Sequence, residues 1–132
     1  MFWAREYILG YTCTNDVSDR SASQADSGNP TRTKGQDTFG PVGPWIETEV
    51  DPGDLKIEVL VNGDLRQAGS TSDFIFGINK VVSFVSSVMT LLPGDVIATG
   101  TPPGMDKLKA GDVVEVKVGG IGTLKNPVVS AG

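Results

Sequence analysis

The sequence predicts an α+β domain in which β-structure dominates, from two strand signals and one helix signal. Apolar residues occupy every second position from Leu55 to Val61, which is typical of a half-buried strand. Asn62-Gly63 follows, and this dipeptide predicts a hairpin because a type I′ turn needs positive φ at both central positions. Gly-rich turns separate the other predicted strands, which are 10–14, 65–67, 96–99, 113–118 and 123–128.

One long helix is predicted at about 73–91. Polar residues at 70–72 offer N-caps, and Pro93-Gly94 ends the helix. A helical turn is expected at 4–8, and 18–34 is predicted to be a surface loop because it holds no periodic apolar residue. The helix prediction depends on apolar residues that follow helical spacing, namely Phe74, Ile75, Ile78, Val81, Val82, Val85, Val88 and Met89.

Composition limits the possible functions of residues 1–132, which are expected to form a single domain. Asp plus Glu number 16 against 11 Lys plus Arg, and the net charge of −5 argues against nucleic acid or an anionic membrane as the main partner. No apolar run is long enough to span a membrane. A single cysteine excludes an internal disulfide framework and suits a reducing compartment. The lack of histidine excludes Ser-His-Asp, Cys-His and His-ligated zinc chemistry by these residues alone.

Three sites are candidates for chemistry, although a plainer structural role is favoured for each one taken singly. Asp16 borders the predicted loop, where its carboxylate could hold Mg²⁺ or Mn²⁺ or simply cap a turn. Lys34 closes the loop and could stabilise an enolate or a carboxylate, or be a solvated surface lysine. Gly100 and Thr101 could present a backbone N–H and a hydroxyl to an anion, or form an ordinary turn.

Three further features are expected to be structural. Glu47 and Glu49 share one side of a strand, as metal ligands can, but their place after a Pro-rich bend favours exposed edge charges. Cys13 is expected to be a small buried residue. Three turns end in Gly-Asp, at 52–54, 93–95 and 110–112, and each one precedes a β-rich run. The aspartate of each turn is expected to form a hydrogen bond with its own backbone.

Several motifs, in order along nearly the whole chain, resemble the fumarylacetoacetate hydrolase family. The branch of 2-hydroxyhepta-2,4-diene-1,7-dioate isomerases and acylpyruvate hydrolases is the most similar. The motifs are YTCTNDVSDR (11–20), KGQDTFGPVGPW (34–45), VNGDLRQ (61–67), TSDFIF (71–76), LPGDVIATGTP (92–102), KAGDVVEV (109–116) and GTLKNP (122–127).

This resemblance implies a mixed β-roll fold and an enzyme that acts on a 2-oxo acid with Mg²⁺ or Mn²⁺. The ion would stabilise an enolate during isomerisation, C–C hydrolysis or decarboxylation. Carried over by motif, Asp16 would be a metal ligand and Lys34 the catalytic residue that stabilises the enolate charge. Thr101 and the Gly100 amide would hold the substrate carboxylate, and Gln24, after a one-residue shift, would match a glutamine of the family loop. A cytoplasmic homodimer in aromatic compound catabolism is also implied.

The resemblance also implies that part of the family site lies upstream of these residues. The family has a Glu-x-Glu pair and a Glu-His dyad before the Asn-Asp motif, and Glu47 and Glu49 fall after it. We therefore expect the chain to be the C-terminal part of a catalytic domain. The zero histidine count leans slightly towards isomerase or decarboxylase chemistry. A catalytically incomplete fragment, or a non-catalytic assembly module with the same fold, is the alternative.

Overall fold

A computed structural model describes residues 4–21, 29–104 and 107–130, and their structure is mostly β. Within these ranges six strands form two antiparallel sheets, which agrees with the predicted fold class. Strands β1 and β2 pair with each other, and the second sheet has the order β4-β3-β5-β6. The strands are β1 (Tyr11–Thr14), β2 (Val42–Glu47), β3 (Lys56–Val61), β4 (Asp64–Ser70), β5 (Val113–Val118) and β6 (Gly122–Pro127).

Two α-helices lie wholly within the described residues, outside the sheets. Helix α1 is Pro30–Lys34 and helix α2 is Ile78–Val88. Short 3₁₀ turns precede β1, β3 and α2, at Ala4–Tyr7, Pro52–Asp54 and Thr71–Asp73. None of the described helices is long and apolar enough to cross a membrane.

The hairpin between β3 and β4 confirms the Asn62-Gly63 prediction. Both turn residues have positive φ, 53° at Asn62 and 87° at Gly63. The Asn62 side chain also reaches the start of β5, because its amide donates to Asp112 Oδ1 and its oxygen accepts from the Val113 amide, each at 2.9 Å. Asp112 Oδ2 accepts the Lys109 amide at 2.9 Å. These hydrogen bonds connect the β3–β4 turn to the start of β5.

The core lies where β1 covers one face of the four-stranded sheet. Cys13 is only 1% exposed, as expected, and packs with Val116, Ile121 and Leu124. Burial raises the pKa of its thiol, which keeps the sulfur neutral. The opposite face of the sheet is charged, and its ion pairs join Glu115 to Lys117 and Lys125.

The structure differs from the predictions at four segments, the first being β2 (Val42–Glu47), which is not among the predicted strands. The helix covers 78–88 rather than 73–91, because Ser70 and Asp73 close a capping box around a separate 3₁₀ turn and Met89 is extended. Residues 96–99 are not a strand, since no strand of the described chain pairs with them. The predicted loop 18–34 ends in α1, which Asn29 caps.

An open cleft of about 2660 Å³ separates α2 from the apolar face of the four-stranded sheet. Valines of β3 and β5 line one side, and apolar residues of α2 and of 96–98 line the other. On α2 itself, Phe84 and Val88 are 69% and 68% exposed. The apolar spacing that predicted this helix therefore does not bury it among the described residues.

Acid unfolding tests the link between the hairpin and β5. The Lys109 amide and the Asn62 side chain donate to the carboxylate and hold the pKa of Asp112 below its usual range. A lowered folded-state pKa gives stability that is present above the unfolded-state value, about 3.9, and lost as pH falls through the folded-state value. We expect Asp112→Asn to lower the urea midpoint at pH 7 and to flatten its decline between about pH 5 and pH 2.

The control for this experiment is Asp64→Asn, which changes an exposed carboxylate at the same hairpin. It should leave the urea midpoint at pH 7 within error of the wild type. An Asp112→Asn midpoint that also equals the wild type would contradict the proposed link.

Candidate functional site

Asp16 lies two residues beyond β1, and the end of that strand is anchored. The Asn15 amide and the Thr14 hydroxyl both donate to the Pro41 carbonyl, at 3.2 and 3.0 Å. Pro41 directly precedes β2, so the two strands hold the segment that carries Asp16. Ser18 Oγ donates to the Asp16 carbonyl at 3.3 Å, which leaves the Asp16 carboxylate for another partner.

Lys34 is the last residue of α1, and capping defines this short helix. Asn29 Oδ1 accepts the Thr31 amide at 2.9 Å, and Pro30 occupies the first helical position, where its missing N–H costs nothing. Thr33 is buried, and its carbonyl accepts the Asp19 amide at 2.8 Å. That bond joins α1 to the segment after Asp16.

The structure brings Asp16 and Lys34 together. Lys34 Nζ forms an ion pair with Asp16 Oδ2, although the two residues are 18 positions apart. The Lys34 side chain is 46% exposed and the Asp16 side chain 55%, so the ion pair adds at most about 1 kcal/mol to stability. Its importance is chemical, because a cation that bound Asp16 through Oδ1 would lie beside the Lys34 ammonium on Oδ2. The Asp16 side chain thus contacts Lys34, and Lys34 is not an isolated surface lysine.

Gly100 and Thr101 lie in the segment that follows the predicted strand 96–99. Gly100 has φ +102°, a conformation that side chains disfavour. Thr101 Oγ1 donates to Gln67 Oε1 at 3.1 Å, and Gln67 Nε2 donates to the Pro102 carbonyl at 2.6 Å. No feature of the sequence marks Gln67 as functional, because a polar residue on a predicted strand carries no signal of its partner.

The candidate residues fall into two groups on the same cleft. Asp16 and Lys34 form one group, Gly100 and Thr101 form the other, and all four line the cleft. Among the described residues no hydrogen bond joins the two groups. Gln24 lies outside the described residues.

The described residues do not form a divalent metal site by themselves. Nowhere in 4–21, 29–104 or 107–130 do three His, Cys, Asp or Glu residues form a group that could hold an ion. Asp16 supplies one carboxylate, whereas Mg²⁺ needs a near-octahedral set of oxygens. The Glu47 carboxylate accepts the Glu49 amide at 2.9 Å, and Glu49 is exposed, so this pair fits the edge role expected for it.

Comparison with known proteins identifies the family. Residues 3–129 match the family described as fumarylacetoacetate (FAA) hydrolase C-terminal. A 5-carboxymethyl-2-hydroxymuconate delta-isomerase structure from Mycobacterium smegmatis superposes with a TM-score of 0.94 at 53% identity, over 98% of this chain and 51% of that one. The bifunctional isomerase/decarboxylase of 4-hydroxyphenylacetate degradation from Salmonella dublin is 43% identical over 129 residues, 96% of this chain and 30% of that protein.

A third relative is solved with ligands. The maleylpyruvate hydrolase of Sphingobium sp. SYK-6, in complex with manganese(II) ion and pyruvate, has a TM-score of 0.85 and 38% identity, over 96% of this chain and 46% of that one. The chain spans about half the length of the curated relatives it matches, 52%, 49% and 50% for three of them. The matched residues and the shared fold lead to one conclusion: this chain is a member of the fumarylacetoacetate (FAA) hydrolase C-terminal family.

Proposed function

We propose that the chain forms part of an enzyme that isomerises, hydrolyses or decarboxylates a small 2-oxo acid. The observation that carries the proposal is the contact between Lys34 and Asp16, because it places an ammonium and a carboxylate together at the cleft. Relatives in the family are isomerases, hydrolases and a decarboxylase, which supports the general kind of reaction.

The proposal gives each group on the cleft a separate task. The Lys34 ammonium would stabilise the negative charge that develops on a substrate oxygen, as fixed charges do at reaction centres. The Gly100 amide and the Thr101 hydroxyl would hold the substrate carboxylate at the other end. Because these groups come from different segments, the distance between them would set which oxygens of the substrate each one meets.

Mg²⁺ or Mn²⁺ belongs to the proposal as a cofactor of the assembled site. Asp16 would supply one ligand, and the others would come from outside the described residues. The manganese and pyruvate in the maleylpyruvate hydrolase structure support this choice of ion and substrate class. Such an ion supplies Lewis-acid stabilisation of a 2-oxo or enolate oxygen.

The apolar cleft indicates how the site would be completed. We propose that polypeptide equivalent to the unmatched half of the relatives fills the cleft between α2 and the four-stranded sheet, and that residues 1–132 act as the C-terminal part of one catalytic domain. The apolar residues of α2 that line the cleft, Ile78, Val81 and Val82, are only half-buried, which supports this because incompletely covered apolar patches mark interaction surfaces. The proposal includes a cytoplasmic homodimer, as the family resemblance implies.

A non-catalytic assembly module is the second candidate. One observation favours it, namely that Asp16 stands as a lone carboxylate without the rest of a metal site among the described residues. This candidate and the enzyme predict opposite results in the two experiments below.

A Mn²⁺ titration, followed by calorimetry or EPR, tests the metal. With the polypeptide that completes the cleft present, we expect saturable binding at one site, tightened by oxalate as an enolate mimic and lost in Asp16→Ala. Asp64→Ala, which removes an exposed aspartate at the β3–β4 hairpin, should bind as the wild type does. Absence of binding in residues 1–132 alone is what a partial domain predicts, whereas absence with the completing polypeptide present would favour the assembly module.

Turnover of an acylpyruvate or of oxaloacetate tests Lys34. Lys34→Ala should lower kcat by about 10²–10³, as the loss of one charge-stabilising group does elsewhere. Its urea midpoint should stay near the wild type, since an exposed ion pair adds at most about 1 kcal/mol. Lys117→Ala removes a lysine from the opposite, charged face of the sheet and should keep full activity. Unchanged turnover in Lys34→Ala would reject the catalytic role.

A further inference from the structure

Strand β4 presents two residues to the segment that carries Gly100 and Thr101. Gln67 and Gly69 are two positions apart, so both lie on the same face of the strand. Val59 of β3 pairs with Gln67 of β4 on one side and with Val116 of β5 on the other side. Since directly paired residues share a face, Gln67 lies on the apolar, cleft-lining face of the sheet.

A β-bulge precedes Gln67. Val59 of β3 pairs with Gln67 of β4, but the next residue, Leu60, pairs with Leu65. Arg66 therefore has no partner on β3 and is the extra residue of the bulge. Bulges bend a strand and re-aim the neighbouring side chain, and they are common beside functional sites. The carbonyl of the bulged Arg66 lies so close to Gly104 that a Cβ there would be 2.4 Å from it.

The segment 99–104 therefore packs tightly along β4. A Cβ on Gly69 would lie 3.0 Å from Pro102 Cγ, so this glycine allows the close approach. Between the two glycine contacts, Gln67 makes both of its hydrogen bonds to the segment. Steric contact sets the distance of the segment from the strand, and the Gln67 amide sets its position along the strand.

The direction of these bonds follows from the chemistry of the groups. The Pro102 carbonyl can only accept, so Nε2 of Gln67 must face it, and Oε1 then faces Thr101. An amide oxygen can only accept, so the Thr101 hydroxyl donates to it. Thr101 has one hydroxyl hydrogen, and Gln67 holds it.

We propose that Gln67 is a positioning residue for the carboxylate-binding segment. It fixes Gly100 and Thr101 through its bond to Pro102, and it holds the Thr101 hydrogen until a carboxylate competes for it. The second statement rests on the proposed function, since it takes the anion to be the carboxylate of a 2-oxo acid. The first statement concerns the protein without ligand and is tested separately.

Backbone ¹⁵N relaxation of the ligand-free chain tests the positioning. Gln67→Met keeps the length of the side chain and removes both hydrogen bonds. We expect the order parameters of the Gly100 and Thr101 amides to fall from about 0.85 to below about 0.6, while β5 stays rigid. The matched control is Gln36→Met, which removes the bonds of another glutamine to Asp19 and the Arg32 carbonyl and should leave Gly100 and Thr101 unchanged.

Steady-state kinetics with oxaloacetate or an acylpyruvate tests the link to the carboxylate. Gln67→Met should raise KM about tenfold with kcat within about twofold, as expected for a change in ground-state and transition-state binding alike. Gln67→Glu keeps an acceptor for Thr101 but places a second negative charge beside the anion, so its KM should rise further. In a Thr101→Val background, Gln67→Met should have a smaller effect, because the two side chains act together.

The outcomes separate this inference from the proposed function. Unchanged order parameters in Gln67→Met would overturn the positioning role, whatever the activity. Lower order parameters with an unchanged KM would show that Gln67 is a structural tie only and would overturn the carboxylate link. If the wild type turns over neither substrate with the polypeptide that completes the cleft present, the proposed function and the carboxylate link both fall, and relaxation alone decides whether Gln67 holds the segment.

Discussion

Strand β3 is hydrogen-bonded along both edges, and its register determines the positions of the core and of half the candidate site. On one side Val59 pairs with Val116, a core residue that packs with Cys13. On the other side Val59 pairs with Gln67. A shift of one residue would move every side chain to the opposite face. The Asn62 and Asp112 side chains hold this register at the hairpin end, so a small polar network at the turn governs positions as distant in sequence as Thr101.

Local sequence patterns predicted many of the strands and the helix, whereas the remaining features depend on which strands pair. The hairpin at Asn62-Gly63 and the strands β5 and β6 were predictable because their patterns are local. The segment 96–99 has the same apolar character but does not become a strand in the described chain, because a strand also needs a partner. For α2, apolar spacing identified the helix, while the capping box at 70–73 and the extended Met89 set its shorter bounds.

The candidate site shows the same division. Asp16, Lys34 and Thr101 stood out one at a time as residue types suited to chemistry, and the motifs supplied the family. Their contacts were not predictable, since the ion pair joins positions 16 and 34 across a capped helix, and Gln67 meets Thr101 only because a bulge and two close-packed glycines bring β4 to that segment. Residue identity can be read in order along the chain, but the partners depend on register.

The hydrogen bond from Thr101 to Gln67 has a consequence for which molecules the cleft would favour. A neutral ester, amide or ketone oxygen that displaced Gln67 Oε1 would exchange one uncharged acceptor for another, with little net gain. A carboxylate forms a charge-assisted bond roughly twice as strong, so the same displacement becomes favourable. Because the Thr101 hydroxyl already has an acceptor, it would add little to the binding of uncharged analogues of similar shape and would favour the carboxylic acid over them.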